Sequence, residues 1–307
     1  MTFLKHDEQS KEFSQSFPNV KLSTDAKRWG FWKKFIYTFI WIALPRSIYA
    51  LFHVEVNGIE NLRKVPEGMP LLLCGNHKSN LDSIIVGTTA AHPKFRIRRF
   101  VAFMVYGRAF QANFLTRKLE LFGGFPVFKD NPEKGLRYTI ESLKANLTVT
   151  IFPQGGKISH ASVLSDYRNI PNEGKTGVGR IILRLNGQVP VVPFYIHGSE
   201  KALKVGSFLP KWGSKISITF GEPMYFTDYK RQIGWDTNSD DFFKASRVIV
   251  DKIMNNVWHL LKNVESAFLE MLEKELGIPL DNIDENLYSA KINSILNKMK
   301  NLKNIYR

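Results

Sequence analysis

The sequence is poor in cysteine, in acidic residues and in long apolar runs. Cys74 is the single cysteine among 307 residues, which excludes a disulfide framework and a thiolate zinc site. Residues 1–29 lack the basic start and the apolar stretch of a secretory signal, which predicts an intracellular protein with a loose N-terminus. Asp and Glu number 28 against 43 Lys and Arg, so the net charge is +15. That excess favours an anionic partner: nucleic acid, an anionic membrane or a phosphorylated substrate.

Residues 30–53 form a strongly apolar and aromatic segment. Its uncharged stretch, Phe35–Leu44, is ten residues long, whereas a membrane-spanning helix needs about 20. The aromatic content and the neighbouring cations instead favour an amphipathic helix, or a shallow helical hairpin, in a membrane interface. The alternative is a helix buried against the main domain. The neighbouring cations are Lys27, Arg28, Lys33, Lys34 and Arg46.

Residues 54–226 alternate short apolar runs with helical patterns. This alternation predicts an α/β domain with a mixed, mostly parallel central sheet flanked by helices. The predicted strands are Val54–Gly58, Met69–Gly75, Arg99–Val105, Leu121–Phe128, Thr148–Phe152, Pro190–Ile196 and Lys215–Gly221, and the predicted helices between them include Leu81–Ala91, Lys134–Lys144 and Thr176–Asn186.

Residues 227–307 are predicted to be a C-terminal helical extension. Apolar residues recur at helical spacing from Asp240 to Leu276, as one long helix or two shorter ones. The last 25 residues are rich in Asn and Lys. They are either a solvated tail or a weak basic amphipathic helix at a membrane surface.

A polar run directly after the second predicted strand, residues 76–82 (NHKSNLD), carries a His and an Asp five positions apart. That spacing is not one face of a helix, but the two side chains meet if His77 lies in a loop and Asp82 opens the next helix. Asp82 then fixes the His77 tautomer and leaves one ring nitrogen as a base. No serine accompanies the pair, so the hydroxyl must come from a substrate. The alternative is an ordinary turn capped by Asp82 or Ser79.

Two glycine pairs lie beside later predicted strands. Gly123-Gly124 precedes an apolar run that ends at Lys129, and Gly155-Gly156 follows a strand and precedes Lys157. Glycine pairs allow a ligand to approach the backbone closely, and ligands gather at strand ends in α/β sheets. The alternative is that these glycines serve only the shape of a turn. A further block, Val-Pro-Val-Val-Pro at 189–193, suits an apolar strand.

In order and spacing, these blocks resemble those of the glycerolipid acyltransferase superfamily, in particular 1-acyl-glycerol-3-phosphate and other lysophospholipid acyltransferases with an H-x4-D motif. The resemblance covers roughly residues 54–226. It consists of the His-x4-Asp run, Gly-Gly-Phe-Pro-Val-Phe-Lys, Phe-Pro-Gln-Gly-Gly-Lys and Val-Pro-Val-Val-Pro. Lys175-x-Gly177 also looks like a stretch that the family has between its third and fourth blocks.

The resemblance implies a mechanism and a set of site residues. His77 would deprotonate an acceptor hydroxyl and Asp82 would orient His77. The hydroxyl would attack the thioester of acyl-CoA or acyl carrier protein, with no cofactor, no metal and no acyl-enzyme. The substrate-binding residues carried over by position are Gly124, Lys129, Gln154, Gly155, Gly156, Lys157 and Lys175.

The third block departs from the family pattern Phe-Pro-Glu-Gly-Thr-Arg. Gln154, Gly156 and Lys157 replace its Glu, Thr and Arg, and Lys129 stands where the second block usually ends in Arg. Lysine keeps a charge for phosphate but loses the bidentate fork of arginine. The acyl-transfer residues are therefore intact and the acceptor site is altered. We expect 1-acyl-glycerol-3-phosphate as acceptor, with glycerol 3-phosphate, another lysophospholipid, or a non-phosphate alcohol or amine as alternatives.

The resemblance also implies a location and partners. We expect a monotopic or peripheral protein on the cytoplasmic face of an anionic phospholipid membrane, and no nucleic-acid partner, because the sequence has no nucleic-acid motif. The first rival is a non-catalytic lipid-binding relative, which the altered third block allows. A hydrolase is the second rival, but the Gly-x-Ser-x-Gly elbow that it needs is absent from the sequence.

Overall fold

The structure is a computed structural model. The predicted segment 1–29, most of the predicted segment 30–53 and the C-terminal tail lie outside the residues that it describes. Those residues are 43, 45–95, 97, 99, 101–106, 123–127, 132–155, 174–204, 207, 209–232, 237–264, 270 and 274.

Seven strands and six helices make up most of the described chain. The strands are His53–Asn57 (β1), Leu71–Gly75 (β2), Val101–Tyr106 (β3), Gly124–Val127 (β4), Thr148–Ile151 (β5), Val191–His197 (β6) and Lys215–Phe220 (β7). The helices are Ile59–Arg63 (α1), Asp82–Ala91 (α2), Pro132–Lys144 (α3), Gly177–Arg184 (α4), Ser199–Ala202 (α5) and Asp240–Val264 (α6). Residues 45–51 are also helical, and short 3-10 turns lie at Pro93–Phe95 and Thr227–Gln232.

The strands form one sheet in the order β1-β7-β6-β2-β5-β3-β4. All neighbours are parallel except β6 and β7, which are antiparallel. The prediction of a mixed, mostly parallel sheet is therefore confirmed. Because β7 is reversed and β1 is parallel to β7, both run opposite to the other five strands.

The apolar strands are covered on both faces, as their composition requires. Leu71 and Leu73 of β2 contribute to a core under α2 and α1, whereas Leu72 and Cys74 contribute to a second core under α3, α4 and α6. Successive residues of a strand point to opposite faces, so β2 is buried along its whole length. The result is three layers, with the sheet in the middle.

Helix α6 belongs to the second of these cores. Val250, Ile253 and Val257 are buried there together with residues of α4. The predicted helix of 240–276 is thus helical to Val264, and most of its remainder lies outside the described residues. Within the described part of the chain, no helix combines the length and the apolar composition needed to cross a bilayer.

One edge of the sheet collects the carboxyl ends of β2, β5 and β6. Because His77, the predicted catalytic base, follows β2, we call it the catalytic edge. The chain leaves β2 toward α2 on one face and leaves β5 toward α4 on the other. Ligands of open α/β sheets bind where connections diverge in this way. The reversed strands β7 and β1 start at the same edge, so the segment before His53 also reaches the fold there.

Candidate active site

His77 and Asp82 meet at the catalytic edge. His77 lies in the loop after β2, and Asp82 is the first residue of α2. The ring Nδ1 of His77 is 2.8 Å from Oδ2 of Asp82. With Nδ1–H donating to this carboxylate, Nε2 is left as an acceptor. The His77 side chain keeps 17% of its surface exposed, whereas that of Asp82 is fully buried.

The same carboxylate oxygen of Asp82 also binds the backbone of the loop. The N–H groups of Lys78 and Ser79 each donate to Oδ2, at 2.7 Å. Hydrogen bonds to an ionised acceptor are stronger than neutral ones, and the start of α2 favours a negative charge. Asp82 therefore holds both the loop and the imidazole in place.

Asn76 fastens the loop to β6. Its buried amide donates to the carbonyl of Ile196 at 2.8 Å and accepts the N–H of Ile196 at 2.7 Å. The two bonds continue the pairing of β2 with β6 beyond the last residue of the strand. Both polar ends of the Asn76 side chain are thereby satisfied, as burial demands.

The imidazole of His77 is stacked on an aromatic ring from β5's end. Its centroid lies 4.1 Å from that of Phe152, with 15° between the planes. Phe152 in turn contacts Phe194 edge to face, at 6.0 Å. With one face of the imidazole covered and Nδ1 bonded, the orientation of Nε2 is fixed from two directions.

Gln154 contacts the His77 loop from the turn after β5. Its Oε1 accepts the backbone N–H of His77 at 3.3 Å, and its Nε2 is buried without a hydrogen-bond partner. The turn itself is closed by the N–H of Gly155 donating to the carbonyl of Phe152 at 3.0 Å, with Pro153 at the position that proline favours. The third block thus reaches the first through Gln154.

Lys175 is held over this turn. Its backbone N–H donates to the carbonyl of Pro153 at 2.7 Å. A Cβ built on Gly155 would stand 2.9 Å from the Lys175 Nζ and 2.7 Å from its Cε. Gly155 also has a φ of +71°, which glycine adopts freely. The glycine therefore makes room for an exposed ammonium group beside the turn.

A second cation, Lys78, contacts β6. Its Nζ donates to the hydroxyl of buried Tyr195 at 2.8 Å and lies 5.1 Å from the centre of that ring. Next to it, burial lowers the pKa of His197 to about 4, an effect that Glu200 opposes and that Lys78 and Lys201 reinforce. His197 is therefore neutral at neutral pH.

Gly124, another predicted site residue, does not lie in this group. Gly124 pairs with Phe103 at the level of Thr150, inside the sheet rather than at its catalytic edge. Lys129, Gly156 and Lys157 lie outside the described residues. Across the described ranges, no three His, Cys, Asp or Glu side chains are grouped so as to hold a metal ion.

Sequence reasoning did not assign roles to Asn76, Phe152 and Tyr195. Asn76 and Phe152 stand inside the first and third blocks, so their position next to a strand end was a usable signal. Tyr195 carried no signal, because its contact with Lys78 depends on β6 lying beside β2.

The family model for acyltransferases matches residues 53–197. This segment belongs to the acyltransferase family. The matched segment runs from the start of β1 to the end of β6 and includes His77, Asp82, Gln154 and Lys175. The match confirms the acyltransferase part of the resemblance that the four sequence blocks indicated.

The fold of this chain is similar to a solved structure. The crystal structure of the 1-acyl-sn-glycerophosphate (LPA) acyltransferase PlsC from Thermotoga maritima aligns with a TM-score of 0.51 and 20% identity, over 83% of this chain and 88% of that one. The likeness confirms the predicted α/β fold. A comparison with curated proteins finds no match.

Proposed function

We propose that this acyltransferase moves a fatty acyl group from acyl-CoA or acyl carrier protein to the hydroxyl of a lysophospholipid, with 1-acyl-glycerol-3-phosphate as the first choice. The observation that carries the proposal is the 2.8 Å contact between Nδ1 of His77 and Oδ2 of Asp82 at the catalytic edge. The carboxylate is buried, the imidazole is partly exposed, and among the described residues no serine hydroxyl is bonded to that imidazole. This arrangement suits deprotonation of a substrate hydroxyl.

In the proposed reaction, Nε2 of His77 takes the proton of the acceptor hydroxyl as its oxygen attacks the thioester carbonyl carbon. The tetrahedral intermediate then collapses, the C–S bond breaks, and the thiolate leaves with the proton that His77 returns. Asp82 stabilises the imidazolium between these steps. A thioester is already activated, so the protein supplies mainly a base and positioning.

The acceptor is proposed to be anionic because of Lys175. Its ammonium group is exposed beside the Gly155 turn, and the turn is joined to His77 through Gln154. A lysine next to a glycine turn is a common way to hold a phosphate. A phosphate bound there would bring the glycerol hydroxyl toward the imidazole.

The experiment is a donor-by-acceptor panel that follows release of free thiol. Acyl-CoA and acyl carrier protein are combined with glycerol 3-phosphate, 1-acyl-glycerol-3-phosphate and several lysophospholipids. The highest kcat/KM is expected for 1-acyl-glycerol-3-phosphate. No thiol release with any acceptor would favour a non-catalytic lipid-binding protein instead.

The matched variants for this panel are His77→Ala and His259→Ala. His77→Ala is expected to lower kcat by at least about a thousandfold, because general-base catalysis contributes roughly that much. His259 is exposed on α6, so its replacement should leave kcat unchanged. Thermal unfolding checks that both variants are folded, and near-normal turnover by His77→Ala would refute the assigned base.

A further inference from the structure

A short loop between α5 and β7 exposes apolar side chains at the catalytic edge. We call residues 209–214 the α5–β7 loop. Leu209 is 85% exposed and Trp212 is 57% exposed. They are the two most exposed large apolar residues in the described part of the chain. Single exposed apolar residues are common, but a Leu and a Trp three positions apart in one loop together expose an apolar surface.

The charges within residues 201–215 have one sign. Residues 201–215 contain four lysines and no Asp or Glu. Lys201, Lys204, Lys211 and Lys215 are all exposed. Aromatic and aliphatic side chains ringed by lysines are the composition that binds an anionic lipid surface, where apolar groups enter the headgroup region and each lysine gains electrostatic attraction.

The α5–β7 loop is tied to the end of the predicted membrane segment. The N–H of Gly213 donates to the carbonyl of Leu51 at 2.8 Å, and the ring of Trp212 lies 5.5 Å from that of Phe52. The N–H of His53 donates to the carbonyl of Ser214 at 3.1 Å. Leu51 is itself exposed. The loop and the end of helix 45–51 therefore present one continuous surface.

The α5–β7 loop is also linked, through the end of α5, to the loop that carries His77. The hydroxyl of Ser79, three residues before Asp82, donates to the carbonyl of Leu203 at 2.8 Å. The N–H of Lys211 donates to the carbonyl of Ala202 at 2.7 Å. These two hydrogen bonds connect the loop that exposes Leu209 and Trp212 to the His77 site.

We infer that the α5–β7 loop is a lipid-binding element, in which Leu209 and Trp212 enter an anionic phospholipid surface and the surrounding lysines bind its headgroups. It holds the catalytic edge against the surface from which a lipid acceptor comes. The inference rests on the proposed function only in assuming that the acceptor is a lipid. Binding of the loop to lipid can be measured without turnover.

The first test uses an environment-sensitive fluorophore on Leu209→Cys in the full chain. The native Cys74 is fully buried, and burial raises the pKa of its thiol, so labelling is confined to the new cysteine. A blue shift is expected with phosphatidylglycerol vesicles and a smaller one with phosphatidylcholine. Val248→Cys, an exposed position on α6, is the matched control and should not shift. No shift at Leu209 would overturn the inference.

The second test is vesicle sedimentation of Leu209→Ser and Lys211→Gln beside Val248→Ser and Lys244→Gln. Each loop variant is expected to weaken binding to phosphatidylglycerol vesicles about fivefold, while the two α6 variants bind as the parent does. Unchanged binding by both loop variants would overturn the inference. So would normal vesicle binding combined with a selective loss of acyl carrier protein as donor, because the loop would then be a protein-docking site.

Activity in detergent micelles separates this inference from the proposed function. With a dispersed acceptor, the loop variants should retain parental kcat, because none of their residues touches His77. A parent chain that binds vesicles through the loop but releases no thiol would refute the proposed function and leave the loop assignment standing.

Discussion

At the scale of single residues, one carboxylate oxygen organises the active-site loop. Oδ2 of Asp82 accepts from the imidazole of His77 and from two backbone N–H groups, all within 2.8 Å. Asp82 contacts no reacting atom in the proposed reaction. In that proposal it is a positioning residue, and its removal should affect the orientation and tautomer of His77.

Asp82→Asn tests that positioning role. The amide keeps the shape of the side chain but places an N–H donor where a carboxylate oxygen stood, so the Nδ1–H tautomer of His77 loses its support. We expect kcat to fall by about a hundredfold or more with little change in acceptor KM.

The tautomer gives a readout that a purely structural role would not move. The ring nitrogen chemical shifts of His77 are identified by comparison with His77→Ala. In the parent they should be those of the Nδ1–H tautomer, and in Asp82→Asn they should differ. Asp251→Asn, a carboxylate change on α6, is the control and should alter neither measurement. An unchanged tautomer with full kcat would contradict the assigned role.

His197 gives a prediction for stability against pH. Burial lowers its pKa to about 4 from the ordinary 6.5, so the unfolded chain binds a proton more readily than the folded one. Its contribution to stability is therefore complete above pH 6.5 and is lost as the pH falls toward 4. At pH 5 the loss amounts to about 2 kcal/mol.

The measurement is urea unfolding at pH 5 and pH 7 of His197→Gln and the parent. The variant should lose less stability between these pH values than the parent does. His259→Gln, exposed on α6, should retain the parental difference. The groups facing His197 are Glu200, Lys78 and Lys201. An identical pH dependence in His197→Gln and the parent would show that the acid sensitivity does not come from His197.

At the scale of elements, α4 and α6 approach each other through a glycine. A Cβ on Gly179 would stand 2.2 Å from the backbone oxygen of Ser246. Since α4 begins just after Lys175, this close crossing also fixes the direction in which the chain leaves the Gly155 turn. The glycine is kept despite its low helix propensity because no side chain fits between the helices.

The sign of the change in unfolding free energy in Gly179→Ala distinguishes helix propensity from packing. Helix propensity alone would stabilise the protein by about 1 kcal/mol, whereas the clash should destabilise it by about 1–3 kcal/mol. We expect the clash to prevail in a urea unfolding measurement. Gly68→Ala, at a site where a Cβ meets nothing within 4 Å, is the control and should stay close to the parent. A stabilised Gly179→Ala would show that the crossing is looser than described.

At the scale of the whole molecule, sequence patterns predicted which segments are strands but not how they are ordered. Hydrophobic periodicity reports burial along one element, so β2 and β5 were identifiable from their apolar runs. Their neighbourhood, and the reversal of β7, depend on contacts far apart in sequence. The meeting of His77 with Asp82 was local and hence predictable, whereas Gln154 and Tyr195 reach the loop only through the strand order.

Arg99, which the sequence analysis placed in a strand, also has contacts that sequence patterns could not predict. The structure starts β3 at Val101 and buries Arg99, whose guanidinium donates to the carbonyls of Met69 and Val65 at 3.0 and 2.6 Å. Burial lowers the pKa of Arg99. A basic residue beside an apolar run gives no hint of such partners, because they lie about thirty positions earlier in the chain.

The reversed pair β7 and β1 has a consequence for kinetics. Both strands start at the edge where β2 ends. Helix 45–51, the α5–β7 loop and His77 therefore lie at the same end of the sheet. An enzyme whose membrane surface and active site lie at that one end would meet its acceptor by lateral diffusion within the two-dimensional membrane surface. Its rate would then follow the mole fraction of acceptor in the surface rather than the bulk concentration, and adding inert lipid at constant bulk acceptor should lower it.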